Sequence, residues 1–256
     1  MPASTFQPVT PHIYRLEQPF LAGFLRVNVW LVRDAEGWIM VDAGAPGFEK
    51  KLLEQVLIQT GGEKPRMLVL THGHTDHAAA AQRIREEWKI PIAAHRDEIP
   101  YLIGPTRYAK IKAKHPFYQL LQISAPPLVG RNVQMPLDDG SKVGELIAYL
   151  SPGHSPGMLA FLHPGDRALI SGDTFMHLRK LSDPFMLFTY DMGLNHKSQA
   201  RLISLPFDHL LVSHGEPIMN TGRQEAMDWV AKHTKKPRAA RPAAAPPAPS
   251  APTTAA

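Results

Sequence analysis

The sequence contains no cysteine among its 256 residues. Disulfide bonds, thiolate metal sites and a cysteine nucleophile are therefore excluded. No apolar run reaches the roughly 18 residues that indicate a membrane-spanning helix. The first 20 residues lack a basic start followed by an apolar stretch, so we expect no signal peptide. These absences predict a cytoplasmic protein without a membrane partner, although a lack of cysteine is also compatible with export.

A large excess of one charge is also missing from most of the chain. The net charge of +5 owes most to Lys235, Lys236, Arg238 and Arg241, which lie in a C-terminal segment without acids. Subtracting these 4 from the 28 basic residues leaves 24, against 23 acidic residues. Because nucleic-acid binding requires a basic face on the folded domain, we expect no nucleic-acid partner. An enzyme that contacts nucleic acid through the tail is the alternative.

The chain divides into one predicted domain, residues 1–234, and a tail, residues 235–256. The tail holds basic residues followed by Ala, Pro, Ser and Thr, and such a composition buries too little apolar surface to offset the entropy cost of ordering. We therefore predict a disordered tail. In the domain, strand and helix patterns alternate, which indicates sheets covered by helices with functional groups on the connecting loops. The predicted strands are 28–32, 38–42, 67–71, 92–95, 146–151, 159–163, 168–171 and 210–213, and the predicted helices are 48–59, 78–88, 106–122, 196–204 and 222–233.

A dense group of metal-binding side chains follows the predicted strand at 67–71. His72, His74, Asp76 and His77 leave the strand end within six residues. Imidazole nitrogen binds zinc, iron and other transition metals, and a carboxylate adds a harder oxygen ligand. Such a set needs a loop, because a strand would point alternate side chains to opposite faces. A cluster this dense is rarely structural, so the sequence predicts a metal site here.

Three later residues repeat the pattern. His154, Asp173 and His214 each follow a predicted strand, and each lies beside a glycine. Any one of them alone would be weak evidence, because a single loop histidine or aspartate usually has no special role. Their recurrence at strand ends favours one shared site.

In this order and at these intervals, the motifs His-x-His-x-Asp-His, Gly-His, Gly-Asp-Thr and Ser-His-Gly resemble those of the metallo-β-lactamase-fold hydrolases. The resemblance covers about residues 12–220. It implies an α/β fold, an αββα sandwich of two mixed β-sheets flanked by helices, with a dinuclear site at one edge. It also implies that Asp42, in Val-Asp-Ala-Gly, supports the ligands from behind. The implied ligands are His72, His74 and His154 for the first metal ion, Asp76, His77 and His214 for the second, and Asp173 for both.

The implied cofactors are two divalent metal ions, with zinc expected and iron or manganese as alternatives. Two cations at a bridged site lower the pKa of the water between them, so hydroxide becomes available near neutral pH. The resemblance therefore implies a hydrolase that attacks its substrate with a metal-bridging hydroxide. Asp76 and Asp173 are the candidate catalytic residues, because their carboxylates could also move protons.

A competing motif for nucleophilic catalysis is present. Residues 153–157 read Gly-His-Ser-Pro-Gly and match Gly-x-Ser-x-Gly, in which Ser155 would be the nucleophile. That motif requires a strand, a sharp turn and then a helix. Here the following residues, 158–162, are strand-like, so we predict a hairpin or loop and reject Ser155 as the nucleophile.

Other features of the sequence favour the lactonase and glyoxalase II-like branch of the resemblance. Asp173 stands where true β-lactamases often carry cysteine, and His77 completes a site of the lactonase and glyoxalase type. We find no counterpart of the long nuclease domain or of a flavodoxin-like domain, and at most a very short one of the helical domain of glyoxalase II. We therefore expect a compact hydrolase of esters or lactones. A thioester hydrolase, a phosphoester hydrolase and a non-catalytic metal-binding scaffold are the alternatives.

Two segments could shape the pocket for a small-molecule substrate. Residues 99–137 contain basic and aromatic residues but no acid, which predicts a helical, lid-like insertion that attracts an anionic substrate; a solvated helix face is the alternative. Residues 175–190 are rich in Phe and Met and could wall an acyl site, with core packing as the alternative. The oligomeric state is not indicated. The candidate pocket residues are Tyr108, Lys112, Phe175, Phe185 and Phe188.

Overall fold

The computed structural model describes residues 5–103 and 135–234. Within these ranges the chain forms two large β-sheets that pack face to face, with helices on their outer faces. The predicted helix 106–122, most of the predicted insertion 99–137 and the tail 235–256 lie outside the described residues.

The first sheet changes from antiparallel to parallel pairing across its width. In chain order, which is also the sheet order, its described strands are β1 (Gln7–Pro8), β2 (Ile13–Phe20), β3 (Leu25–Asp34), β4 (Gly37–Val41), β5 (Met67–Val69), β6 (Ile92–His95) and β7 (Met135–Leu137). Strands β1 to β4 form an antiparallel meander, whereas β4 to β7 are parallel. Parallel neighbours require crossover connections, which places the ends of β4, β5 and β6 at one edge.

The second sheet is mostly antiparallel. Its described strands, in sheet order, are β14 (His209–Leu211), β11 (Ala168–Ile170), β10 (Leu159–His163), β9 (Leu146–Leu150) and β8 (Lys142–Val143). Strand β14 is parallel to β11, and β10 is antiparallel to both β11 and β9. The carboxyl ends of β9, β11 and β14 therefore share one edge. A small ribbon pairs β12 (Met176–His177) with β13 (Leu181–Ser182).

The α-helices of the described ranges lie between strands, except the last, which follows β14. They are α1 (Glu49–Thr60), α2 (Thr75–Ala78), α3 (Ala81–Trp88), α4 (Ile99–Ile103), α5 (Met192–Leu202) and α6 (Gly222–Thr234). Among the residues described, no helix combines the length and the apolar character that crossing a membrane requires.

The apolar side chains form three layers of core. Along β3, the side chains of Trp30 and Val32 point into the cluster between the two sheets. Those of Val29 and Leu31 point to the opposite face, into the cluster under helices α1 and α3. This alternation follows from the two-residue period of a strand, and a strand covered on both faces reads as a continuous apolar run. The third cluster packs the second sheet against α5 and α6. The predicted αββα sandwich is thus confirmed.

Several elements differ from the prediction, mainly at polar or short segments. Strand β2 is not evident in the sequence because its partly exposed face carries Arg15 and Glu17, which form an ion pair. The predicted helix 78–88 is interrupted between α2 and α3. Helix α5 starts earlier than predicted because Asp191 caps it by accepting a hydrogen bond from the Leu194 amide at 2.9 Å.

Candidate metal centre

The strand ends at one edge of the sandwich carry the candidate ligands. His72 and His74 lie in the loop after β5, and Asp76 and His77 lie in the short helix α2 that follows. The other candidate ligands follow three parallel-oriented strands of the second sheet, and the carboxyl ends of such strands are the usual place for functional groups in α/β folds. They are His154 after β9, Asp173 after β11 and His214 after β14.

Three imidazoles converge to form what we call the first donor set: His72, His74 and His154. Nδ1 of His74 lies 3.1 Å from Nε2 of His72 and 2.9 Å from Nε2 of His154. Burial lowers the pKa of His72 well below its ordinary value, that of His74 to about 4 and that of His154 to about 3. These side chains are therefore neutral near pH 7 and can offer lone pairs to a cation.

The second donor set consists of Asp76, His77 and His214. Oδ2 of Asp76 lies 3.6 Å from Nε2 of His77 and 3.3 Å from Nε2 of His214. Burial alone would lower the pKa of His77, but nearby carboxylates, led by Asp76 and Asp173, raise it to about 9. Burial likewise opposes protonation of His214, yet Asp173 and Asp76 hold its pKa well above the ordinary value. The carboxylates of this set therefore favour the protonated imidazoles, and a cation would have to displace those protons.

Asp173 lies between the two sets. One of its oxygens, Oδ2, is 3.4 Å from Nε2 of His154 and 3.3 Å from Nε2 of His214, and the other, Oδ1, is 3.5 Å from Nε2 of His77. Burial would raise the pKa of this carboxyl, but the surrounding histidines, led by His214, hold it well below its usual range. One ionised carboxylate thus faces both sets, as expected for a bridging ligand.

Hydrogen bonds behind the rings turn most of the ligand nitrogens inward. Thr71 Oγ1 donates to the Asp42 carboxylate and accepts from Nδ1 of His72 at 3.0 Å. Asp42 also accepts from Nδ1 of His77 at 2.9 Å. These bonds form one chain that links both donor sets, and each fixes its ring with Nε2 towards the centre. Asp42 therefore lies next to His77 and, through Thr71, next to His72, and its support of bound ions stays a prediction.

The position of Asp42 has a conformational cost. Its backbone lies in the left-handed region, at φ 63°, directly after β4. A non-glycine residue in this region is strained by about 1–3 kcal/mol. The strain is offset by the two hydrogen bonds from Thr71, one from its amide at 2.8 Å and one from its hydroxyl.

Two supporting groups for the remaining rings are not evident from the sequence. Nδ1 of His154 contacts the hydroxyl of Thr189 at 3.2 Å, and Nδ1 of His214 donates to the carbonyl of Arg26 at 2.6 Å. Both partners come from segments remote in sequence, and no local motif marks them. Thr71 could have been found, because its hydroxyl directly precedes the His-x-His motif.

The residues present fit two cations. Nε2 of His77 and Oδ1 of Asp173 are buried and have no hydrogen-bond partner among the described residues, although they face each other. Ligands at 2.0–2.2 Å from a tetrahedral ion lie about 3.4 Å apart, and the polar contacts of both sets fall between 2.9 and 3.6 Å. Neutral imidazoles with carboxylates suit zinc, iron or manganese.

Ser155 does not serve as a nucleophile in this arrangement. Its hydroxyl donates to Glu98 at 2.6 Å, and the segment lies in the connection between the antiparallel strands β9 and β10. The strand–turn–helix geometry of a nucleophile elbow is therefore missing at this position.

The predicted pocket residues divide into three groups. Tyr108 and Lys112 lie outside the described residues. Phe175 is fully buried in the third core cluster, which corresponds to core packing rather than a pocket wall. Phe185 is 45% exposed and makes an edge-to-face contact with half-buried Phe188, with their ring centroids 6.5 Å apart. Their role in substrate binding stays a prediction.

Comparisons with known proteins relate the chain to one superfamily. The sequence profile of the metallo-beta-lactamase superfamily matches residues 22–214. The probable metallo-hydrolase YybB of Bacillus subtilis is 30% identical over 194 residues, which cover 75% of this chain and 82% of that protein. The acyl-coenzyme A thioesterase MBLAC2 of Gallus gallus is 23% identical over 65% of this chain and 64% of its own length.

Two solved structures resemble the described fold. A metallo-beta-lactamase family protein of Thermus thermophilus, TTHA1429, superposes with a TM-score of 0.68 at 22% identity, over 89% of this chain and 81% of that one. The protein TTHA1623, solved in a di-iron-bound form, gives a TM-score of 0.60 at 29% identity, over 79% of this chain and 94% of that one.

Proposed function

Because the chain belongs to the metallo-β-lactamase superfamily, we propose that it is a dinuclear metal-dependent hydrolase of small-molecule esters or lactones. The observation that carries the proposal is the convergence of seven buried or half-buried donors in two sets that share Asp173. A scaffold without catalysis would not need to keep a full set of donors for both ions. When bound, two such ions would lower the pKa of a shared water and polarise the carbonyl oxygen of the substrate.

The side chains of the centre would then bind the two ions and accept or donate protons during hydrolysis. His72, His74 and His154 would hold the first ion, and the second donor set would hold the other. Zinc is expected, and the di-iron form of one relative keeps iron as an alternative.

Asp76 is our candidate for the residue that accepts a proton from the attacking water. Burial would raise the pKa of this carboxyl, but His77 and His214 lower it to about 2. The carboxylate therefore stays ionised at neutral pH, and a general base must be ionised before it can act. Asp173 is also held ionised between the two sets, where its carboxylate would orient the attacking water.

The segment that could shape an acyl site is joined to the first donor set. Thr189, whose hydroxyl contacts His154, also donates that hydroxyl to the carbonyl of Phe185 at 2.9 Å. The apolar side chains of Phe185, Met186 and Leu187 are exposed there. An acyl chain entering beside His154 would bury this surface, which supports an ester or lactone with an apolar acyl group.

A thioester substrate is the second candidate. The observation that favours it is the similarity to a protein named as an acyl-coenzyme A thioesterase, since a thioester presents the same carbonyl chemistry. Phosphoesters, a cytoplasmic location and the lack of a nucleic-acid partner stay predictions, as does the lid-like insertion.

A substrate panel tests the proposal. The metal-loaded chain is assayed with a lactone series of increasing acyl length, matched thioesters and a phosphodiester, beside a His74→Ala variant and a His196→Ala control. We expect lactone or ester hydrolysis that rises with acyl length and is lost in His74→Ala alone. Thioester hydrolysis that exceeds it would favour the second candidate. Hydrolysis by His74→Ala at the wild-type rate would overturn the metal-dependent function.

A further inference from the structure

One buried carboxylate contacts the two loops that carry the first donor set. Glu98 is fully buried in the turn between β6 and α4. Its Oε2 accepts a hydrogen bond from the Gly73 amide at 3.0 Å. Its Oε1 accepts from the Ser155 hydroxyl at 2.6 Å and from the Gly157 amide at 2.7 Å. A buried charge is costly unless it is compensated, and these three donors contribute to its compensation.

These donors belong to the two loops that carry the first donor set. Gly73 lies between His72 and His74, and Ser155 directly follows His154. The loops are 80 residues apart along the chain, so no local structure holds them together. The loop after β9 also packs tightly on the turn of Glu98, since a Cβ at Gly157 would come within 3.0 Å of the Glu98 amide nitrogen.

We propose that Glu98 is a positioning residue for the first metal ion, because its carboxylate ties the His72–His74 loop to the His154 loop. This inference rests on the proposed dinuclear site but not on the identity of the substrate. It assigns to the centre a residue that lies outside the recurrent metal-ligand motifs.

The chemistry of the three donors also explains why the side chain is glutamate. A carboxylate offers acceptors only, whereas the amide of glutamine has one acceptor oxygen and one donor nitrogen. In either orientation, the glutamine NH₂ would face an N–H or O–H donor. Glu98→Gln therefore keeps the shape but loses the charge and at least one of the bonds between the loops.

Metal titration of the full-length chain tests the inference. The metal-free protein is titrated with Zn²⁺ against a competing chelator dye, and the stoichiometry is checked by elemental mass spectrometry. We expect wild type to bind two ions. In Glu98→Gln, one ion should bind about tenfold more weakly, the lower end of the range for groups bonded to the ligands themselves, because Glu98 acts through the loops, while the other ion is unchanged.

Combined variants identify which ion is affected. In a His77→Ala background only the first set is intact, and adding Glu98→Gln should weaken the remaining ion by the same factor. In a His74→Ala background, adding Glu98→Gln should change nothing. Weakening of the ion in both backgrounds, or in neither, would overturn the inference.

Asp34→Asn is the matched control. The side chain of Asp34 is also buried, at 3% exposure, and its carboxylate accepts hydrogen bonds from the Arg66 guanidinium and the Glu36 amide, but it makes none to the metal loops. We expect this variant to lower the melting temperature and to bind both ions as wild type does. Equal metal loss in Asp34→Asn and Glu98→Gln would reduce Glu98 to a general stabilising role and contradict the inference.

Should Glu98→Gln fail to fold, the same titration is made with Ser155→Ala, which removes one hydrogen-bond donor and keeps the Glu98 carboxylate. A selective, smaller weakening of the first ion supports the inference, and wild-type affinity for both ions overturns it. A wild-type chain that binds no zinc would instead refute the proposed function itself.

Discussion

The first donor set consists of imidazoles alone, whereas the second combines His77 and His214 with the Asp76 carboxylate. Burial dominates the first set, so the pKa values of His74 and His154 lie at about 4 and 3. Carboxylates dominate the second, where the pKa of His77 rises to about 9. Histidine side chains therefore differ in protonation between the two donor sets. Burial favours neutral imidazoles in the first set, whereas the carboxylates favour protonated imidazoles in the second, so a metal would have to displace protons only there.

The largest expected effect comes from removing the group that both sets share. Asp173→Ala takes away a buried charge with partners on both sides, and removing one member of a buried ion pair costs about 3–5 kcal/mol of stability. A loss of similar size at each ion, at 1.4 kcal/mol for each factor of ten, would lower the affinity for both ions by about two to four orders of magnitude. Zinc titration measures this.

The control for that variant is Asp183→Ala. Asp183 also pairs with a histidine, His196, at 3.0 Å, but neither belongs to the centre. Retention of both ions by Asp173→Ala, or an equal loss in Asp183→Ala, would contradict a bridging role.

Removing one ligand from each set should separate the sets. Each ion would be held by the three donors of its own set and by the shared Asp173 carboxylate. Because His74→Ala and His77→Ala each remove one donor from one set only, we expect each variant to lower the metal content from two ions to about one per chain. Elemental analysis after dialysis measures the content, and His196→Ala provides the control. A single substitution that empties both sets would show that the ions do not bind separately.

The two sets should also respond differently to pH. Between pH 5 and 8 the histidines of the first set are already deprotonated, so the affinity for the first ion should be nearly independent of pH. In the second set the raised pKa values mean that a metal must displace protons, so affinity falls as pH falls. The expected slope is about tenfold per pH unit for each proton displaced.

Calorimetric titrations of His77→Ala and His74→Ala at several pH values, in buffers of different ionisation enthalpy, measure this difference. The variant with only the second set should release protons on binding zinc. Equal slopes in the two variants would mean that the carboxylates do not set the protonation of the second set.

The smallest effects should come from the groups behind the rings. Thr189→Val removes the partner of Nδ1 of His154, and Asp42→Asn weakens that of Nδ1 of His77. We expect about tenfold weaker binding of zinc, at the first ion for Thr189→Val and mainly at the second for Asp42→Asn. A Thr60→Val variant, whose hydroxyl bonds only backbone carbonyls far from the centre, should behave as wild type.

The seven donors could be located from sequence because each follows a strand end and their order is distinctive. Their assembly also follows from local patterns, since parallel strands place their carboxyl ends at one edge. The strands of the sandwich were predictable where apolar residues run continuously, as in β10, and not where one face is polar, as in β2.

The support of the donors could not be predicted, because it depends on contacts between remote segments. Thr189 reaches His154 from 35 residues away, and the carbonyl of Arg26 reaches His214 from 188 residues away. A backbone carbonyl leaves no trace in a sequence pattern. Glu98 offers a weak signal, an acid shortly after a strand, but many surface acids share it.

The most direct test of the dinuclear hydrolase is the rate of lactone hydrolysis by the metal-free chain as zinc is added back. We expect the rate to rise with the first two equivalents of zinc per chain and then to reach a plateau, and to stay near zero in Asp173→Ala over the same range. A rate that is independent of zinc, or one that reaches its plateau before the second ion is bound, would contradict the proposal.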